Sequence, residues 1–133
     1  MLDYFKIFLV VLGSFFIIDM IWLGLVAKNF YRQQLGFIMA DTVNWPAAII
    51  FYLLYMVGLI FFAIDPAIKM NSLSYAIFGG AFFGLICYAT YDLTNLATLK
   101  NWPLKVTIVD LIWGSTLSGI LSLIGFLYGR TVL

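Results

Sequence analysis

Four long apolar stretches, separated by short polar interruptions, make up almost the whole chain. They predict helices over about residues 5-27, 45-64, 73-99 and 104-128. Each stretch reaches the length of about 20 residues that an α-helix needs to cross a bilayer. Asn-Trp-Pro precedes the second and fourth stretches, and Asp65-Pro66 is expected to end the second. The pattern therefore predicts an all-α, integral membrane four-helix bundle that forms a single transmembrane domain over residues 1-133.

The first connection is longer than a turn. Across residues 28-38, polar positions such as Lys28 and Arg32 alternate with apolar positions such as Tyr31 and Leu35 at a spacing of three to four residues. This spacing predicts a possible interfacial helix at the membrane surface. The remaining connections are short, so consecutive helices are expected to be antiparallel neighbours.

The amino-acid composition supports a membrane protein and limits the kinds of partner that it could bind. Only 10% of residues are charged and the mean hydropathy is +1.09, whereas about a quarter of the residues of a soluble domain are charged. The lipid bilayer is therefore the first expected partner. The net charge is +1 and the basic residues are scattered, so no nucleic acid is expected to bind. The chain has no histidine, which removes the commonest zinc ligand and the usual catalytic base.

Three aspartates lie inside the apolar stretches, where a charged side chain costs about 2.5–3.5 kcal/mol at the bilayer centre. Asp19, Asp92 and Asp110 each lie five to nine residues from a lysine at the end of their stretch. With a rise of 1.5 Å per residue, all three are expected roughly 8–13 Å beneath one membrane face. Tyr52 reaches the same depth in the second stretch. The sequence thus predicts one polar layer within the bundle.

The candidate ligand-binding site combines this layer with side chains on the same helix faces. Its predicted members are Asp92, Asp19, Asp110, Tyr88, Asn95, Tyr52, Trp22, Trp113, Tyr91 and Thr107. Asp92 is expected to be the central carboxylate, with Asp19 and Asp110 as its partners. The aspartates lack a recognisable metal-ligand spacing, so no metal site and no cofactor are assigned.

Three functions are compatible with this layer. The leading hypothesis is a protein that binds or transports a small molecule or a cation. The first alternative is an intramembrane enzyme acting on a lipid, in which paired carboxylates serve as acid and base. The second alternative is a structural or accessory membrane subunit, in which the carboxylates only hydrogen-bond tyrosines, Asn95 and threonines across the bundle. In a layer of low dielectric constant, at least one of the three carboxyl groups is expected to hold a proton near neutral pH.

Small residues recur along the last two stretches. Gly80-x-x-x-Gly84 and Gly114-x-x-x-Ser118 both have the spacing that allows helices to approach closely. Such stripes pack helices either within one chain or between copies. Because four helices have limited surface with which to enclose a cavity, a possible homodimer is predicted.

Polar and aromatic residues form one combination across the four stretches. It consists of Asp19-x-x-Trp22-Leu23-Gly24 with Tyr31, Asn44 with Tyr52 and Tyr55, Tyr91-Asp92-Leu93-Thr94-Asn95, and Asp110-x-x-Trp113-Gly114. This combination resembles a bacterial family of small four-helix integral membrane proteins catalogued as a domain of unknown function. The resemblance covers essentially the whole chain. It implies a multi-pass protein of the bacterial cell inner membrane and singles out the same polar residues, but it implies no activity.

Overall fold

A computed structural model describes residues 1–133, and all of its regular structure is helical. The α-helices are Leu2–Ile21, Phe30–Leu35, Trp45–Leu59, Asp65–Met70, Leu73–Thr98 and Leu104–Val132, with π-helical turns at Trp22–Val26 and Ile60–Ile64. The π-helical turns continue the helices beside them, which leaves four spans: Leu2–Val26, Trp45–Met70, Leu73–Thr98 and Leu104–Val132. All four are long and apolar enough to cross a bilayer. The prediction of an all-α membrane bundle is confirmed.

The second span differs from its prediction, because Asp65-Pro66 does not end it and the helix continues to Met70. Proline has no backbone N–H, and its ring clashes with the carbonyl four residues earlier in a regular α-helix. Here the π-helical turn Ile60–Ile64 ends two residues before Pro66 and changes the local register. The carbonyl of Phe62, four residues before Pro66, accepts a hydrogen bond from the Tyr75 hydroxyl at 3.2 Å. A contact from the third span therefore satisfies the group that the proline leaves unpaired.

The connections are short except for the first. Asn71 ends the second span with a left-handed backbone (φ 49°), and Ser72 caps the third by accepting a hydrogen bond from the Tyr75 amide at 3.1 Å. Asn101 has φ 62° in the turn to the fourth span. Asparagine tolerates this conformation better than most residues. In the first connection, the predicted helix over residues 28-38 is shorter and covers Phe30–Leu35.

The third and fourth spans pack through their small residues. A Cβ atom added at Gly80 would overlap Ser122, and one at Gly84 would overlap Ser118 and the carbonyl of Gly114. The two helices approach closely because these glycines have no side chain. The predicted stripe is thus used inside one chain, and Gly80 and Gly84 are not available as a face for dimerisation.

The main apolar core lies in the middle of the bundle and in the half nearer Asn71. Its buried side chains include Ile7, Val11, Phe15, Met56, Leu59, Leu117 and Leu121. In the other half of the bundle, most of the second span before Leu54 is exposed on the surface of the chain. This looser half contains the intramembrane aspartates.

Candidate ligand-binding cavity

A cavity of about 620 Å³ lies in the looser half of the bundle. Its wall is formed by Asp19, Trp22, Leu23, Tyr31, Leu35, Met39, Val43, Tyr52, Tyr88, Tyr91, Asp110 and Trp113. All four spans and the first connection contribute to this wall, because the antiparallel arrangement brings one end of each span to the same depth. The volume lies within the range of roughly 300–1,000 Å³ that is usual for small-molecule sites.

Three of the four spans each contribute to the cavity wall a pair of side chains spaced three residues apart. Side chains three residues apart lie on the same face of a helix. The pairs are Asp19 with Trp22, Tyr88 with Tyr91, and Asp110 with Trp113. The first and fourth spans therefore each provide one carboxyl group and one indole, while the third provides two phenols.

Two tryptophan rings close one side of the cavity. Trp22 and Trp113 are stacked with their ring centroids 4.3 Å apart and their planes 9° from parallel. A π-helical turn begins at Trp22, whose carbonyl accepts a hydrogen bond from the amide of Ala27 at 2.7 Å. Such turns occur frequently at functional sites. The stack joins the first span to the fourth and gives the cavity a flat aromatic surface.

A chain of hydrogen bonds runs from this stack to a carboxyl group. The Trp22 Nε1–H donates to the Tyr31 hydroxyl at 3.1 Å, and the Tyr31 hydroxyl donates to Asp110 Oδ1 at 2.6 Å. Burial, together with the bond to Asp110, raises the pKa of Tyr31, so its hydroxyl remains a donor at neutral pH. Leu35, one turn further along the same short helix, packs against Trp102 and holds that helix on the bundle.

The carboxyl groups at the cavity have no basic partner. Asp19 is half-buried and Asp110 is 6% exposed, and no lysine or arginine lines the cavity. Both ion pairs of the structure involve other aspartates, Asp3 and Asp65. The Asp19 carboxyl group accepts no hydrogen bond from the protein, and Asp110 accepts one, from Tyr31, at Oδ1. The cavity therefore contains two carboxyl groups whose negative charge, when they are ionised, no basic residue of the wall balances.

Asp92 is placed differently, because it is completely buried and does not line the cavity. Neither of its carboxyl oxygens accepts a hydrogen bond from an N–H or hydroxyl group of the protein, but its carboxyl group lies beside that of Asp110. The expected bonds from Tyr88 and Asn95 to this carboxyl group are not formed. Thr107 donates instead to the backbone carbonyl of Asp92 at 3.4 Å, and it accepts a bond from Trp102 Nε1 at 3.0 Å.

Comparison with known proteins provides a family but no ligand. The family described as "Predicted membrane protein (DUF2177)" matches residues 4–127, which include every residue of the cavity wall. The chain belongs to this family. Its membership confirms the resemblance to a membrane protein family of unknown function. No curated protein and no solved structure matches the chain.

In this member of the family, the structure brings together seven of the ten residues predicted for the site. Those that line the cavity are Asp19, Trp22, Tyr52, Tyr88, Tyr91, Asp110 and Trp113. Asp92, Asn95 and Thr107 lie outside it. Sequence reasoning did not assign Tyr31 to the site, although it falls on the apolar face of the first connection and belongs to the combination that carries the family resemblance.

The cavity wall contains carboxyl groups and aromatic rings but no set of metal ligands. No group of three or more acidic or thiol side chains is placed to hold a metal ion. The wall has two carboxyl groups, while most of its surface comes from indole, phenol and aliphatic side chains. These features suit a ligand that carries positive charge on an organic group.

Proposed function

We propose that the protein binds a small organic cation in this cavity. The observation that carries the proposal is the approach of Asp19 and Asp110 to one cavity that has an aromatic wall and no basic residue. Away from bulk water, an unbalanced carboxylate attracts a cation more strongly than it does in solution. A bound cation would supply the charge that the protein itself does not provide.

The aromatic wall favours an organic cation over a metal ion. A cation over the face of a tryptophan or tyrosine gains about 0.5–2 kcal/mol, depending on its desolvation. Quaternary ammonium groups make such contacts readily because they have no N–H group to hydrogen-bond with water. A hard metal ion instead needs six or more oxygen ligands or retained waters, and the cavity wall has only two carboxyl groups.

The structural alternative explains only part of the arrangement. Asp65 shows how this chain pairs a carboxylate that holds helices together: it accepts a bond from the Tyr4 hydroxyl at 2.7 Å and pairs with Lys69 at 2.7 Å. Asp110 receives one such bond, from Tyr31. Asp92 lies beside Asp110, which joins the third span to the fourth. The Asp19 carboxyl group receives no such bond, so cross-linking of helices does not account for it.

Binding needs only the cavity, whereas transport also needs a path through the bundle. The cavity lies at one end of the bundle, and the apolar core around Met56, Leu59 and Leu117 fills the middle. A cation could cross only if these packed side chains moved apart. We therefore propose binding alone. Transport, and the alternative of an enzyme acting on a lipid, remain predictions from the sequence.

Titration with tetramethylammonium tests the proposal. Trp22 and Trp113 line the cavity, so the tryptophan fluorescence of protein in lipid nanodiscs should report the bound cation. We expect saturable binding to the wild type and binding at least roughly tenfold weaker in Asp110→Asn, which corresponds to about 1.4 kcal/mol. Asp3→Asn is the matched control, because Asp3 lies at the other end of the first span and pairs there with Lys6. Equal binding by all three proteins would contradict the proposal.

The location in the bacterial inner membrane and the homodimer remain predictions. The family resemblance implies the bacterial inner membrane, and the homodimer follows from the limited surface of a four-helix bundle. Native mass spectrometry from mild detergent should show a dimer, and a monomer at all protein concentrations would contradict it.

A further inference from the structure

A second space adjoins the acidic cavity. It measures about 490 Å³ and is lined by Phe51, Cys87, Tyr88, Thr90 and Tyr91 of the second and third spans. We call it the lateral groove. Tyr88 and Tyr91 also line the acidic cavity. The two spaces therefore meet at these two rings, with charge on one side and an apolar surface on the other.

The lateral groove is suited to hydrocarbon. Its Thr90 hydroxyl is already donated to the carbonyl of Ile86 at 2.7 Å, so it is not offered to a ligand. Phe51, Thr90 and Tyr91 are exposed on the side of the bundle, where a transmembrane helix faces lipid. The groove thus opens sideways towards the acyl chains.

We infer that the ligand is an amphiphilic cation whose ammonium head occupies the acidic cavity and whose alkyl chain lies in the lateral groove. This inference rests on the proposed function. Cys87 is one helical turn further from the end of the third span than Tyr91, or about 6 Å at the helical rise per residue. An alkyl chain that passes the Tyr88 and Tyr91 rings would therefore run towards the bilayer centre, parallel to the lipid chains.

The carboxyl groups of the acidic cavity favour one type of amphiphile over another. A phospholipid carries an anionic phosphate, which Asp19 and Asp110 would repel across a medium of low dielectric constant. A single-chain ammonium compound has a head that these carboxyl groups attract and one chain for one groove. Such a ligand would first dissolve in the bilayer and then enter sideways between Phe51 and Thr90, without passing the polar connections.

Filling the groove tests the inference. Cys87→Trp places a bulky side chain in the groove, and Leu93→Trp adds the same side chain to an exposed position of the same helix that lines none of the cavities described above. Binding of tetramethylammonium and decyltrimethylammonium is measured by calorimetry for the wild type and both variants in nanodiscs of the same lipid. Partitioning of the ligand into lipid is common to all three proteins and cancels.

We expect Cys87→Trp to weaken the binding of decyltrimethylammonium at least tenfold and to leave that of tetramethylammonium within twofold. Leu93→Trp should change neither. Unaltered binding of the long-chain cation by Cys87→Trp would overturn the inference while leaving the proposed function intact. Failure of tetramethylammonium to bind the wild type would contradict the proposed function itself, and the inference with it.

Discussion

The Tyr31 hydroxyl donates a 2.6 Å hydrogen bond to Oδ1 of Asp110, across 79 residues of sequence. This bond ties the first connection to the fourth span and fixes one oxygen of the carboxyl group. The same carboxyl group lies beside that of Asp92. Tyr31 thus orients Asp110, whose carboxyl group lines the cavity.

Removal of this hydroxyl should have a measurable but limited effect on stability. We expect Tyr31→Phe to lower the free energy of unfolding by about 0.6–1.7 kcal/mol, as measured for hydrogen bonds between membrane helices. Denaturant titration in mixed micelles measures it. Tyr128→Phe is the control, because the Tyr128 hydroxyl is half-buried but bonds to no protein group. Equal losses in the two variants would show that the bond to Asp110 contributes no stability.

Close packing of the third and fourth spans leads to a second prediction. Gly84→Ala should destabilise the bundle by about 1–3 kcal/mol, because the new methyl group overlaps Ser118 and the Gly114 carbonyl. Gly13→Ala provides the control, since a Cβ atom at Gly13 meets nothing within 4 Å. Thermal unfolding in detergent compares the two. If Gly84→Ala is as stable as Gly13→Ala, the two spans are further apart than described.

Much of this architecture follows from local sequence. Apolar length predicted the four spans, and the 1.5 Å rise per residue predicted that Asp19, Asp110 and Tyr52 share a layer. All three line one cavity in the structure. The polar side chains themselves were evident because they are rare and costly in apolar stretches.

Tertiary contacts account for what the sequence did not predict. Asp65-Pro66 is a stop signal in an isolated helix, yet the Tyr75 hydroxyl satisfies the carbonyl of Phe62 and the helix continues. Asp92 was expected at the centre of the site because of its depth. In the structure Asp92 is buried beside Asp110 rather than on the cavity wall, and this placement depends on the packing of the third span on the fourth.

Topology provides a third prediction. With the native cysteine replaced in a Cys87→Ala background, Gln33→Cys and Asn101→Cys should react with a membrane-impermeant thiol reagent from the same side of the membrane. Asn71→Cys should react only from the other side, because it lies in the turn after the second span. Labelling of residues 33 and 101 from opposite sides would refute the shared polar layer.

The buried carboxyl group of Asp92 leads to a fourth prediction. Asp92 lies beside Asp110, and a proton on Asp92 can form a hydrogen bond to that carboxyl group. Asp92→Val removes this bond, so it should lower the free energy of unfolding by about 1–3 kcal/mol. A buried charge would be costly, and we therefore expect Asp92 to hold a proton at neutral pH. Infrared spectroscopy should show a protonated carboxyl band that is missing in Asp92→Asn. An unchanged or higher stability of Asp92→Val would show that the two carboxyl groups form no stabilising hydrogen bond.

The central claim is that positive charge, rather than shape, is recognised between Asp19, Asp110 and the aromatic wall. Choline and 3,3-dimethyl-1-butanol have nearly the same shape, and only choline carries a charge. Their binding to the wild-type protein in nanodiscs is the most direct measurement, with calorimetry as the readout. The account predicts that choline binds at least tenfold more tightly than the alcohol, and equal affinities for the two compounds would contradict it.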